Sequence, residues 1–193
     1  MPIYFPSGVI TSNYNISHYT PNFTNTSINL KSNSYDRGIH QIQGSFDAYI
    51  NTEKDKRLYE SFLMQIRGKL LPFYIFPKGR FASPTVISSN VPITAAFSKG
   101  STAITLGTFI GSISEGDVFY VINDTKVYMA LNDATSNTTL NFYPPLMKDV
   151  PISQFCHFNN VPVLVRMDTD NPSIDYMQAG LIHKTTINFK EEI

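Results

Sequence analysis

The sequence has no tryptophan, one cysteine and no excess of charge of either sign. Each shortage removes a class of function. Cys156 by itself can form neither an internal disulfide nor a cysteine-based zinc site, so a reduced compartment is expected and no covalent staple supports the fold. Lys plus Arg number 15 and Asp plus Glu number 15, a formal net charge of zero. That balance argues against an electrostatic grip on nucleic acid or anionic lipid as the main task. No run of about 18 apolar residues offers a membrane anchor. The N-terminal MPIYFPSGVI lacks the basic start and continuous apolar segment of a signal peptide, so the chain reads as soluble with no export signal. The sequons at Asn15, Asn22, Asn25, Asn123 and Asn137 then read as Asn-rich loops.

Catalytic signatures are equally scarce. There is no GxSxG, no phosphate-binding Walker loop and no GxGxxG. His18, His40, His157 and His183 are scattered, with no HExxH and no pair at ligand spacing. Cys156 adjoins His157, but neighbouring residues of an extended chain point to opposite faces and do not readily make a nucleophile and its base. The sequence therefore assigns no catalytic, cofactor-binding or metal-ligating residue, and a non-enzymatic protein without cofactor is expected.

What the chain does have is core. Its 193 residues are 42% hydrophobic and 13% aromatic, enough for one generous domain or two small ones. The stretch Asn51 to Pro77 carries the one convincing helix, over 52–67. Leu58, Phe62 and Ile66 recur every four residues with Tyr59 and Leu63 beside them, while Lys54, Lys56, Arg57 and Glu60 fill the wetter side. Thr52 with Asp55 caps the start, and Gly68 supplies the left-handed residue that closes the end. Phe73 to Phe76 then form a strand stopped by Pro77.

The first 50 residues read as strands: Val9 and Ile10, then Tyr14, Ile16 and Tyr19, then Ile28 and Leu30. The clearest is Ile39 to Ile50, with Ile42, Phe46, Ala48 and Ile50 on one face and Gln41, Gln43, Ser45 and Asp47 on the other. Gly44 weakens it or marks a bulge, and Ser34 to Gly38 reads as the turn before it. A loop-like stretch with Gly79, Pro84 and Pro92 places a domain boundary near Ser83. Short strands follow at Ser101–Leu106, Val118–Ile122, Lys126–Leu131 and Thr138–Tyr143, spaced as in a small barrel or sandwich and ended by Pro144 and Pro145. Val161 to Met167 and Gly180 to Phe189 return as strands. The expected architecture is mainly β with one helix: a sandwich-like domain from 1–83 plus 158–193, interrupted by a small barrel over 84–157.

A small barrel with aromatics could read single-stranded nucleic acid, with Phe97, Phe109, Tyr120, Tyr128 and Tyr143 as stacking candidates. Its charges oppose this. Lys99, Lys126 and Lys148 stand against Glu115, Asp117, Asp124, Asp133 and Asp149, three minus five or net minus two. Core packing is the plainer use of those rings, and an aromatic surface that stacks on sugars is a further class.

The run KGSTAITL, then EGDVFYV, then KVYMALNDATSNTTLNFYPPL resembles the distal tail proteins of long-tailed bacteriophages. The matching elements are Gly116-Asp117 with Phe119, Val127-Tyr128, and the corner Pro144-Pro145-Leu146. A helix and strand from Tyr59 to Pro77 is similar to the pair that precedes the inserted domain in that family. The resemblance covers roughly residues 36 to 167. It implies a β-rich domain that closes into a ring, a hexamer being expected, with an inserted barrel similar to an oligosaccharide/oligonucleotide-binding fold outside it. The implied role is a structural virion protein of the tail tip, made in the host cytoplasm. Its partners would be further copies of itself, the tail tube protein and the proteins of the tip or baseplate hub, with a cell-surface saccharide as a further expected ligand. DNA would pass through the ring without being specifically bound. The alternative is a carbohydrate- or receptor-binding tail accessory protein.

Overall fold

A computed structural model describes residues 2–77, 79, 81–86, 88, 90–172 and 183–193, with the backbone alone at His183. The described elements run β1 (Ile10–Tyr19), β2 (Asn22–Thr26), β3 (Ser32–Asp36), β4 (Gln41–Ile50), α1 (Glu53–Ile66), β5 (Phe73–Ile75), β6 (Val91–Pro92), β7 (Ala103–Thr105), β8 (Val118–Val121), β9 (Val127–Ala130), β10 (Thr139–Tyr143), β11 (Phe155–His157), β12 (Val163–Met167) and β13 (His183–Glu191). The protein is mainly β with one helix among these residues. Contacts divide it into two compact units, Met1–Ser17 with Ile42–Lys78 and Pro162–Ile193, and His18–Gln41 with Gly79–Val161.

The first unit is a five-stranded sheet in the order β1-β4-β13-β12-β5. β4 and β13 pair antiparallel over eight positions, from His183↔Ile50 to Lys190↔Gln43. The period of two along β4 buries Ile42, Phe46, Ala48 and Ile50, with Asp47 buried on the opposite face, and on β13 it buries Ile187 and Phe189. Helix α1 begins where Thr52 Oγ1 accepts the Asp55 backbone N–H at 3.1 Å, which satisfies one orphan donor of the first turn. Its buried residues are Tyr59, Phe62, Leu63 and Ile66. Phe62 sits edge-on to Phe73 of β5 at 5.0 Å, and Phe5 makes edge contacts with Phe46, Tyr59 and Phe62. These rings join the helix to the sheet. Burial pushes the Tyr59 hydroxyl up to about 12, although a hydrogen bond with Thr185 opposes that shift.

Three expectations for this unit are corrected. Leu58 is 43% exposed: a four-residue step overshoots the helix turn, so Leu58 drops out of the expected face and the buried stripe is 59, 62, 63 and 66. The left-handed end of the helix begins at Arg67 (φ 54) and continues through Gly68 (φ 64). Gly44 is no bulge, since its register with Phe189 is continuous with its neighbours'. A Cβ there would lie 2.1 Å from the Asn15 carbonyl oxygen, so glycine is required for close approach of the β1 backbone. The expected strand Gly180 to Phe189 is described only from His183; Gly180, Leu181 and Ile182 lie outside the described residues.

The second unit contains a curled six-stranded sheet in the order β6-β11-β8-β9-β10-β7. Its two end strands approach one another, with Ile93 bridging Leu106 and the Gly107 N–H donating to the Pro92 carbonyl at 2.7 Å. The enclosed core includes Val91, Ile104, Leu106, Phe119, Tyr128, Leu140, Phe142, Leu146, Cys156 and Phe158. Pro144 and Pro145 do not end this unit: Leu146, Val150 and Phe158 beyond them are core residues. Nor is Ser83 a boundary. It is buried, its N–H donates to the Phe158 carbonyl and its hydroxyl to Asp117. The compact unit accordingly spans 79–161 rather than 84–157, and it also takes in residues 18–41.

Those residues carry a separate two-stranded sheet, β2 paired with β3 from Asn22↔Asp36 to Thr26↔Ser32. Ile28 and Leu30, read above as strand residues, are instead its tip, and Leu30 has a positive φ of 58. Ser34 to Asp36, read as turn, are strand; the turn begins at Arg37, where the Gly38 N–H donates to Asp36 Oδ1.

Candidate interaction surface and histidine pair

All ten residues of β2 and β3 are exposed. One face carries Asn22, Thr24 and Thr26 opposite Asp36, Ser34 and Ser32; the other pairs Phe23 with Tyr35 and Asn25 with Asn33. Phe23 is 62% exposed and Tyr35 66%, and at the tip Ile28 is fully exposed. The Arg37 guanidinium lies 4.6 Å from the Phe23 ring centre. Among the described residues neither outer edge pairs with a further strand. An isolated two-stranded ribbon is marginal in water, and unpaired edges are ready templates for another chain.

The ribbon leaves and returns through two histidines. His18 Nδ1 and His40 Nε2 are 2.8 Å apart, and their ring planes differ by 24°. His40 is buried and its Nδ1 has no hydrogen-bond partner among the described residues. The Lys126 ammonium donates to the His40 carbonyl at 2.7 Å. Tyr143 stands edge-on to the His40 ring and donates its hydroxyl to Asp36 at 3.2 Å. Burial, and then the charges of Lys126 and His18, hold His40 down to about 4. Sequence spacing could not reveal this pair, because its members are 22 positions apart and only the hairpin brings them back together. No third His, Cys, Asp or Glu completes a metal-sized cluster among the described residues.

The other candidate residues disperse. Tyr128 and Phe109 are core, and Phe97 packs against that core. Tyr120 is partly buried and stacks on His157 at 5.0 Å, and Tyr143 serves the hairpin base, so the five rings form no common stacking platform. Cys156 is fully buried and burial pushes its thiol well above the ordinary range, while His157 faces the other way onto Tyr120. The side chain of His183 lies outside the described residues.

In the first unit, Asp47 of β4 accepts from Asn13 at 2.8 Å, Thr186 at 2.7 Å and Lys184 at 2.9 Å. These donors, Asn13 foremost, hold its carboxyl at about 2. All three bonds are spent joining β1, β4 and β13. An open cleft of about 690 Å³ beside the end of α1 is lined by Glu60, Met64, Arg67 and Asp170, but Asp170 is already committed to the Lys69 N–H and ammonium. A different exposed feature is a stack of Tyr4 on Tyr74 and Phe76 at 5.3 and 6.2 Å. No described helix is long and apolar enough to cross a membrane. A scan against protein-family models finds no match, and a search of curated proteins finds no relative.

Proposed function

We propose that the chain is a structural subunit of a bacteriophage tail tip, of the distal tail type, that assembles with copies of itself into a ring between the tail tube and the tip. The observation that carries the reading is the β2–β3 ribbon. Among the described residues it offers two unpaired edges, an exposed Phe23–Tyr35 pair and an apolar tip, which is more unsatisfied surface than an isolated chain usefully keeps. Repeated head-to-tail contacts made by one such surface close into a ring when the rotation per copy divides the circle. The resemblance set out above supplies the setting, and a chain of zero net charge suits a passage that lets DNA through without holding it.

Replacing Phe23 and Tyr35 together by serine tests the assembly. Both are exposed, so the variant is expected to fold with unchanged circular dichroism yet to be missing from purified tails. Normal incorporation of a folded F23S/Y35S chain would remove the ribbon from the interface.

A second reading, a carbohydrate-binding tail accessory, is favoured by the exposed rings of Tyr4 and Phe76 around Tyr74, since flat aromatic strips stack on sugar rings. Glycan-array binding lost on Tyr4→Ala would support it, and an array without signal would set it aside.

A further inference from the structure

We propose that His18 and His40 form an acid-opened clasp that closes the base of the β2–β3 ribbon and loosens it when both imidazoles are charged. The clasp is independent of which assembly the ribbon serves.

Residues 19–39 form the excursion, and its two ends meet at the 2.8 Å contact between His18 Nδ1 and His40 Nε2. A hydrogen bond between two imidazoles needs one N–H and one lone pair. The neutral pair provides them, and so does a pair with one added proton. A second proton leaves N–H facing N–H with no acceptor between, and two like charges at that distance repel. The surroundings sharpen this limit. His40 Nδ1 is buried with no acceptor among the described residues, so a charged His40 would hold an unsatisfied N–H out of water. The Lys126 ammonium, fixed on the His40 carbonyl, adds positive charge.

Two carboxylates are bonded to groups around the pair: Asp36, held by the Tyr143 hydroxyl and the Gly38 N–H, and Asp124, which accepts from the Lys126 N–H at 3.1 Å and the Tyr128 hydroxyl at 2.6 Å. Both carboxylates are already engaged by donors. A doubly charged pair is therefore relieved by separation of the two rings, which brings His40 Nδ1 to water and removes the side-chain contact across the neck of the excursion. Among the described residues β2 and β3 pair only with each other, and the Tyr143 hydroxyl on Asp36 and the β1–β4 pairing remain at the base, so opening the clasp loosens the ribbon without detaching it.

The test places spin labels on the full chain at Asn29→Cys in the tip and Ile110→Cys in the exposed loop between β7 and β8. Buried Cys156 is left in place. The distance distribution is measured from pH 7 to pH 3.5 with circular dichroism recorded alongside. The expected result is a narrow distribution at pH 7 that broadens at acid pH while the dichroism is still native. The variants His18→Gln and His40→Gln, which can bond but take no second proton, should stay narrow through the same range. His18 is exposed, so H18Q provides the comparison even if H40Q folds poorly. The proposal is overturned if the folded wild type stays narrow to pH 3.5, if H18Q broadens at the wild-type pH, or if broadening coincides with global unfolding.

Discussion

Truncating Phe62 to alanine removes the ring that joins α1 to its sheet. Phe62 is 4% exposed and makes edge-to-face contacts with Phe5 at 5.3 Å and Phe73 at 5.0 Å. Deleting a buried phenylalanine costs about 3 to 5 kcal/mol through lost transfer energy and the cavity left behind. Two well-formed aromatic pairs put this site toward the upper part of that range. The loss is a large part of the roughly 5 to 15 kcal/mol that holds a typical domain folded. Urea titration is the assay, followed by tyrosine fluorescence and far-ultraviolet dichroism, because a second compact unit can give a second transition. The transition that contains α1 should move to lower urea, while a transition carried by the curled sheet should not. Leu58→Ala is the internal control: its side chain is 43% exposed, and its loss should cost under about 1 kcal/mol. A Phe62→Ala shift below about 1 kcal/mol, or a larger loss from Leu58→Ala, would refute the packing described here.

Three further outcomes are expected. Gly44→Ala should destabilise the first unit by at least about 1 to 3 kcal/mol, because the new Cβ would overlap the Asn15 carbonyl; wild-type denaturant resistance would contradict that approach. Asp47, held at about 2 by Asn13, Thr186 and Lys184, contributes stability that is full above the ordinary carboxylate value near 3.8 and is lost as pH falls from there through 2. Acid titration of Asp47→Asn should lack that component of the slope. His40, held at about 4, stays neutral in the fold while an unfolded chain charges it below about 6.5, so its contribution is full above 6.5 and falls away between 6.5 and 4. His40→Gln should flatten the stability profile across that interval, and an unchanged profile would count against the buried neutral imidazole.

The sequence revealed those elements in which one face is buried over a sufficient length. Ile42, Phe46, Ala48 and Ile50 announce β4 because the period of two persists across ten residues, and Thr52 with Asp55 announces the helix start because capping is local chemistry. Very short pairings lack such a signal: β6 and β11 have two and three residues, and tertiary contact rather than periodicity makes them strands. Ile28 and Leu30 misled because an apolar residue at an exposed tip has the same letter as one in a core. Leu58 was misplaced because four residues exceed one helical turn. Of the aromatics weighed for stacking, Phe109 and Tyr128 are core as the plainer reading had it, but the candidate surface was not legible: Phe23 and Tyr35 meet only through hairpin register, and His18 meets His40 only through its return.

The assembly itself gives the most direct test. Cryo-microscopy of intact tails, at a resolution that traces side chains, should place this chain in a closed ring between the tube and the tip, with Phe23, Tyr35 and the free edges of the β2–β3 ribbon buried against neighbouring copies. Density for the chain at any other position, or a ring in which the ribbon stays fully solvated, would contradict the account.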